Sequence, residues 1–363
     1  GVLLMKKFWK ILIIVLLVLL VLAGGYVAYV FLDYHRIEDN QQLTPAEGSA
    51  RTAETGVEYR ALTWNLGFGA YEDDYGFFMD GGTESWAWSE ERLKTNLDEI
   101  AARVQEQAAD VYFLQEVDFD STRTYHIDER EWLYAALPGH SSVFAVNYDS
   151  PFLLYPFRHP HGASRSGLLM LTEFDVQSAV RRSLPVETGF TKLLDLDRCY
   201  SVSRVPVENG RELVLYDLHL SAYSSDGTIA DEQLELLLAD MQAEYEAGNY
   251  VVGGGDFNKD LLPGGSTQYF GVDTGDYTWA QPIRTDLIEA TDLQLIAPVD
   301  PEAPAASCRN ADGPYQAGQL RLTVDGFLVS PNIEVVDSEV VDLGFENSDH
   351  NPVRMTFRLT DAL

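Results

Sequence analysis

The pattern of hydrophobic and polar positions divides the chain into three parts. From Ile11 to Leu32 runs a stretch of 22 residues without a single charge. That length suits a bilayer-spanning helix and exceeds the apolar core of a signal peptide, roughly 7–15 residues. Two other readings stand beside it, a cleaved signal peptide and a buried core helix. The small residues Ala23, Gly24 and Gly25 would serve the first, but the apolar run continues past them. Residues 37–58 are polar, with scattered Pro and Gly and few large apolar side chains. They read as the greater part of a flexible tether, 33–58. From Tyr59 onward there is no similar stretch and no internal repeat, so 59–363 is expected to be one domain.

Within that domain the periodicities alternate. Residues 89–107 open on Ser89, a candidate N-cap, with Glu90 and Glu91 in the first turn. Leu93, Leu97, Ile100, Ala101 and Val104 then fall on one face of a helix. Residues 229–247 follow Thr228, a second candidate cap, carry a Leu234/Leu237/Leu238/Met241/Tyr245 stripe and stop at Gly248. Short apolar runs predict strands at 59–64, 111–115, 143–146, 167–172, 213–220, 250–253, 322–329 and 352–358. Several are apolar on both faces, as strands in a covered sheet are. An α/β layered domain follows.

Charge sharpens this division. The chain holds 25 Lys+Arg against 57 Asp+Glu, a net −32. Residues 1–36 carry Lys6, Lys7, Lys10 and Arg36 against Asp33, a net +3, which leaves −35 for the rest. The lysines precede the apolar run, so the positive-inside rule predicts a cytoplasmic N-terminus (1–10), a single-pass anchor (11–32) in the cell membrane and an extracytoplasmic domain. An acidic surface argues against a broad basic grip on nucleic acid. It does not exclude a nuclease, because a bound cation inverts the field locally. The cysteines, Cys199 and Cys308, are too few for a disulfide scaffold, and neither lies in a Cys/His cluster that would hold structural zinc. Sequence leaves open whether they pair.

Polar residues recur at the ends of the predicted strands: Asn65, Glu116, His219, Asp256, Asn258, and Asp349 with His350 before the last one. Each alone has an ordinary explanation as a turn or solvated residue. Asp325 is harder to dismiss, because it interrupts the apolar run LTVDGFLV and a buried carboxylate needs a partner. His350 is a candidate. As a set, carboxylates with an amide and no thiolate suit a hard cation, Mg²⁺ or Mn²⁺. Two histidines, one backed by a carboxylate, suit acid–base work around a phosphoryl group.

The words TWNLG (63–67), LQEVD (114–118), LHLSAY (218–223), GGDFN (254–258), TVDGF (323–327) and SDHNPV (348–353), in this order, resemble those of the endonuclease/exonuclease/phosphatase superfamily, the deoxyribonuclease-like and sphingomyelinase-like metal-dependent phosphohydrolases. The resemblance spans roughly residues 59–360. It implies a four-layer sandwich, two packed β-sheets flanked by helices, with the site at one edge. It also implies roles: Glu116 on the metal, Asn65 supporting metal and phosphate, Asp256 orienting or deprotonating the attacking water, and Asn258 on a phosphoryl oxygen. Asp325 would orient His350, and His350 with His219 would act around the phosphate. Asp349 would sit near the metal or support that histidine. The identity of the general base stays open.

Further candidates for substrate binding are Arg123, Tyr125 and His126, which follow the LQEVD word, and Arg165; an arginine there would grip a phosphate bidentately. Such an arginine also reads as a surface residue beside a local carboxylate. His159 and His161 read as loop residues rather than a metal pair. Residues 71–88, rich in Tyr, Phe and Trp and without a basic residue, read either as a lid beside the site or as a packed insertion. The expected function is a membrane-anchored, metal-dependent phosphoric-ester hydrolase, a phosphodiesterase before a monoesterase. Its substrate would be a phospholipid headgroup, a nucleic acid or a small organic phosphate. An extracellular nuclease of the same fold, and a non-catalytic binding module that kept the fold, are the alternatives.

Overall fold

The apolar N-terminal run forms one helix, Val2–Asp33, whose described apolar side chains are almost all exposed. This rules out the buried core helix; by length and composition it is sufficient to cross a membrane. The computed structural model describes residues 2–186, 196–222, 228–271, 281–316 and 318–360. Tyr223 of the LHLSAY word therefore lies outside the described residues.

Two mixed sheets follow. One has seven strands in the order Gln41–Leu43, Ser178–Ser183, Cys199–Pro206, Glu212–His219, Tyr250–Asp256, Asp325–Val329 and Gln294–Ile296. The other has six, in the order Ile333–Val340, Val353–Leu359, Glu58–Asn65, Val111–Asp118, Arg165–Thr172 and Ser141–Asp149. Their facing sides bury Phe113, Leu215, Val252, Phe327, Met355 and Phe357 in one core. The helix Glu90–Gln107 closes the outer face of the six-stranded sheet with Leu93, Leu97, Ile100 and Val104. Thr228–Glu246 closes the other with Leu234, Leu237, Leu238 and Met241. Each such side chain contributes about 1.5–3 kcal/mol by burial. The four layers expected are therefore present.

Local signals act as the sequence suggested. Ser89 caps its helix by accepting from the Arg92 amide at 3.1 Å. Gly248 ends the other helix at φ +94°, its amide bonded to the Tyr245 carbonyl. Gly254 sits where the sheets meet: a Cβ there would lie 2.6 Å from the Phe113 ring and 2.9 Å from that of Phe327.

Two expectations change. Residues 37–58, read as flexible, are laid along the fold. Gln41–Leu43 pairs antiparallel with Ser178–Ser183, Ala46 bridges Ser142, and Ala53 is fully buried. An edge strand needs only main-chain partners, so polar composition concealed it. The apolar run 322–329 is split. The amides of Thr323, Val324 and Asp325 bond to the Ser266 and Ser307 hydroxyls, and the strand proper begins at Asp325. Both cysteines are free and buried.

Candidate active site

Backbone register assembles the site. Within the seven-stranded sheet His219 is paired with Asp256 in parallel, and Asp256 with Asp325 in antiparallel register. Three adjacent strands thus place these side chains in a row. Across the sandwich Asn65 ends its strand opposite Gln115, one residue before Glu116. His350 is bridged to Cys308, and the Trp64 indole donates to its carbonyl at 2.8 Å. A bulge between Leu114 and Val117 leaves Glu116 at φ +55°. That left-handed conformation costs a non-glycine residue on the order of 1–2 kcal/mol. It turns the carboxylate into a cleft of about 230 Å³ lined by Asn65, Glu116, His219, Asp256, Asn258, Asp349 and His350.

Polar contacts fix the geometry. Asn65 Nδ2 donates to Glu116 Oε1 and to Asp256 Oδ2, both at 3.1 Å, and Asn65 Oδ1 accepts from the Gly67 amide. Asp256 Oδ2 lies 3.4 Å from His219 Nε2 and 3.8 Å from His350 Nε2. Its other oxygen accepts the Asn258 amide at 2.8 Å, an Asx turn that suits Asn258 at φ +51°. Asn258 Nδ2 donates to the Leu220 carbonyl. Asp325 Oδ2 bonds to His350 Nδ1 at 2.8 Å and accepts from the Ser307 hydroxyl at 2.7 Å.

The two histidines are set apart electrostatically. Burial holds His219 well below its ordinary pKa, reinforced by Arg198 and His350, so it is neutral. Burial would also lower His350, but Asp325 outweighs it and raises the imidazole well above its usual value. Asp256 is pushed up to about 7, by burial first and then by Asp325, against the pull of His350. Asp349 is pushed up to about 6, again by burial, with Glu116 adding to it and His350 opposing. Divided environments of this kind separate acid and base roles.

Among the described residues, two groupings of possible metal ligands lie at the site. Ligand atoms of Asp256, Asp325 and His350 lie within 4.8 Å of one another. Asn65, Glu116 and Asp349 line the same cleft with oxygen ligands. Arg309 is a cation beside the second group, but Nη1 and Nη2 are spent on the carbonyls of Asn310, Gly313, Glu72 and Tyr75. Crowded carboxylates with this neighbouring guanidinium committed elsewhere fit a divalent cation such as Mg²⁺ or Mn²⁺.

Three of the four substrate-binding candidates do not line the cleft. Tyr125 donates its hydroxyl to the Ala87 carbonyl. His126 is exposed on Asp120, and Arg165, half exposed, pairs with Asp120 and Asp149. Local acids hold the His126 and Arg165 side chains at the surface. Arg123 does reach the cleft, but Nε and Nη2 both bind Asp118 at 2.9 Å and its guanidinium lies 3.7 Å from the Phe68 ring centre. It is a wall of the site, held by its own carboxylate.

Sequence reasoning missed Arg198, Arg309, Asp80 and Tyr148, which also line the cleft. They come from a loop (Arg198), the two-residue strand Cys308–Arg309, the short turn Phe78–Asp80 and a strand end (Tyr148), none of which carries a recognisable word. The aromatic segment 71–88 is a packed wall: Tyr71, Phe77, Met79 and Asp80 face the cleft, and the rings of Phe68, Tyr71 and Phe77 pack edge-on or tilted with centroids 5.0–5.8 Å apart. Arg309 staples it through Glu72 and Tyr75. His161, on a separate loop, is buried against Phe77 and Phe78, held neutral by burial with a pKa of about 3.

Comparison with known proteins gives a consistent result. A family model described as "Endonuclease/Exonuclease/phosphatase family" matches residues 62–350. A search of curated proteins found no match. Among solved structures, an endonuclease/exonuclease/phosphatase from Beutenbergia cavernae is similar with a TM-score of 0.58 at 21% identity, over 84% of this chain and 72% of that one. ANGEL2, described as a 2′,3′-cyclic phosphatase in complex with adenosine-2′,3′-vanadate, gives 0.55 at 15%, over 87% and 98%. The human Nocturnin catalytic domain with bound sulfate gives 0.51 at 16%, over 88% and 97%. At these identities the structural likeness establishes the fold.

Proposed function

The chain belongs to the endonuclease/exonuclease/phosphatase family, and from that premise we propose that it is a divalent-metal-dependent phosphoric-ester hydrolase, a phosphodiesterase before a monoesterase, anchored by its N-terminal helix in the cell membrane with the catalytic domain outside the cytoplasm. The observation that carries the chemistry is the row His219–Asp256–Asp325 on three adjacent strands, with His350 bound to Asp325 at 2.8 Å. The ANGEL2 complex, in which a vanadate ester is bound, supports a cleft of this fold that acts on phosphate esters.

In this reading Asn65, Glu116 and Asp349 hold Mg²⁺ or Mn²⁺, which when bound supplies Lewis-acid stabilisation of a phosphoryl oxygen. Asp256, buried and with a pKa near 7, orients the attacking water and takes its proton. Asn65 fixes the Asp256 carboxylate by its 3.1 Å bond. Neutral His219 and Asn258 bind phosphoryl oxygens. His350, kept protonated by Asp325, donates a proton to the developing negative charge.

The test is hydrolysis by the purified full chain of a substrate panel: activated mono- and diesters, single- and double-stranded DNA, RNA, sphingomyelin, other phospholipids and phosphoinositides. Each is run with chelator and after restoring Mg²⁺ or Mn²⁺, with Asp256→Ala as the blank. Metal-dependent turnover absent from the blank is expected. No turnover of any ester, or turnover indifferent to chelator, would falsify the proposal.

A further inference from the structure

The loop between the strands Ser141–Asp149 and Arg165–Thr172 exposes apolar residues that the fold has no reason to leave in water. Phe157 is 83% exposed and Tyr155 63%, with Phe152 and Leu154 also exposed. Large apolar patches rimmed by polar groups mark interaction sites. The occupant is indicated by what the loop touches. Tyr26 of the N-terminal helix donates its hydroxyl to the Phe152 carbonyl at 3.1 Å and accepts from the Leu154 amide at 3.0 Å. Tyr29 accepts from the Phe152 amide at 3.1 Å. Two helix tyrosines thus grip the main chain of the loop.

Their position along the helix matters. At a rise of about 1.5 Å per residue, Trp9 and Tyr29 are about 30 Å apart, one hydrocarbon thickness. Aromatic side chains at that spacing mark the two membrane–water boundaries. The loop bonded to Tyr26 and Tyr29 then lies at the boundary on the C-terminal side. Its charge agrees: in a chain of net −32, residues 150–172 contain no acid and carry exposed Arg158. The same loop abuts the site. Tyr155 lies 5.8 Å from the Phe78 ring, beside Met79 of the cleft wall. Arg36, just past the helix, donates to the carbonyl of Leu196, another cleft residue.

We infer that the loop 150–162 is a membrane-docking element that lies in the lipid interface and holds the mouth of the active-site cleft against the headgroup layer. This rests on the anchored-hydrolase reading above. It adds a second point of membrane contact, which fixes the orientation of the cleft.

Both native cysteines are buried, so Phe157→Cys and Val336→Cys can be labelled selectively with an environment-sensitive fluorophore in the full chain. Val336 is exposed on the outer strand at the opposite edge of the six-stranded sheet. The proteins are reconstituted in phosphatidylcholine/phosphatidylglycerol vesicles containing lipid brominated near the headgroup. The 157 label should be quenched several-fold more than the 336 label and shielded from aqueous iodide; Tyr155→Cys should repeat the result. A 157 label as insensitive to brominated lipid as the 336 label overturns the inference. Loss of iodide access without lipid quenching also overturns it, and places a protein there instead. A carbonate wash separates the premises. Release from the vesicles overturns the anchor and the inference together, whereas retention with an unquenched 157 label overturns the inference alone.

Discussion

Replacing Asp325 by Asn tests whether His350 works through its carboxylate. Asp325 Oδ2 accepts two hydrogen bonds, from His350 Nδ1 and from the Ser307 hydroxyl. The Ser307 oxygen itself accepts the amides of Val324 and Asp325, so its one proton is committed to residue 325. Asp325 Oδ1 is buried and has no partner among the described residues. An asparagine has two choices here. With its oxygen at the Oδ2 position the geometry survives, but its NH₂ is buried unpaired, at about 1–3 kcal/mol, and His350 loses its counter-charge. With its NH₂ there, it meets the Ser307 proton head-on and forces the wrong imidazole tautomer. In either case the protonated form of His350 is weakened by about 2–3 kcal/mol, roughly 10²-fold in turnover. The assay is metal-supported hydrolysis of an activated phosphodiester, with circular dichroism to confirm the fold. Because Asp325 raises the His350 pKa, its loss should move the alkaline limb of the rate profile to lower pH. In a His350→Ala background the same substitution should add nothing. A folded Asp325→Asn protein that keeps more than about a tenth of wild-type turnover would refute acid catalysis through this pair.

Three further outcomes follow from the same geometry. Asp118→Ala strands the buried Arg123 guanidinium and should cost about 3–5 kcal/mol by urea denaturation, while Asp118→Leu with Arg123→Met should recover most of the loss; additive losses would show that the pair is not coupled. Arg165→Ala and His126→Ala remove exposed groups and should change stability by less than about 0.5 kcal/mol and kcat/KM not at all; a clear loss of activity in either returns it to the site. Burial holds the Asp217 carboxyl well above the ordinary range, with one oxygen on Gln115 and the other without a partner among the described residues. A raised carboxyl pKa costs stability as pH climbs above the unfolded value of 3.8. Asp217→Asn should therefore gain on wild type in urea midpoint between about pH 4 and pH 7 and show no such gain at about pH 3; a pH-independent difference sinks this account.

What the sequence reveals of this protein depends on how each residue is positioned. His219, Asp256 and Asp325 are carried by strand register alone, so short apolar runs that end in polar residues, or are interrupted by one at Asp325, are enough to mark them. Glu116 depends on a bulge, yet it still sits at the end of a legible strand. Residues placed by packing between loops left no such trace. Arg309 and Arg198 reach the cleft from segments with no periodicity, and Arg123 lines it while paired with Asp118, which lies within the very word that marks the site. The strands that went unseen fail for a related reason. Cys199–Pro206 buries Ser201 and Ser203, and Arg181 of its neighbour is 1% exposed, its guanidinium donating to the carbonyls of Val146 and Asp197. Hydropathy treats such residues as solvated, yet main-chain carbonyls satisfy the Arg181 guanidinium inside, and Ser201 and Ser203 are buried with hydroxyls that have no partner among the described residues. Ile333–Val340, an outer strand, keeps most of its residues at least partly exposed, so its apolar face is too short to count. Period and hydropathy therefore report positions whose burial is paid for by apolar area. Positions stabilised by a specific polar partner stay silent until that partner is located. In this protein apolar strands of the first kind carry the reactive row to the cleft, and the arginines among its walls, Arg123 and Arg309, are positions of the second kind.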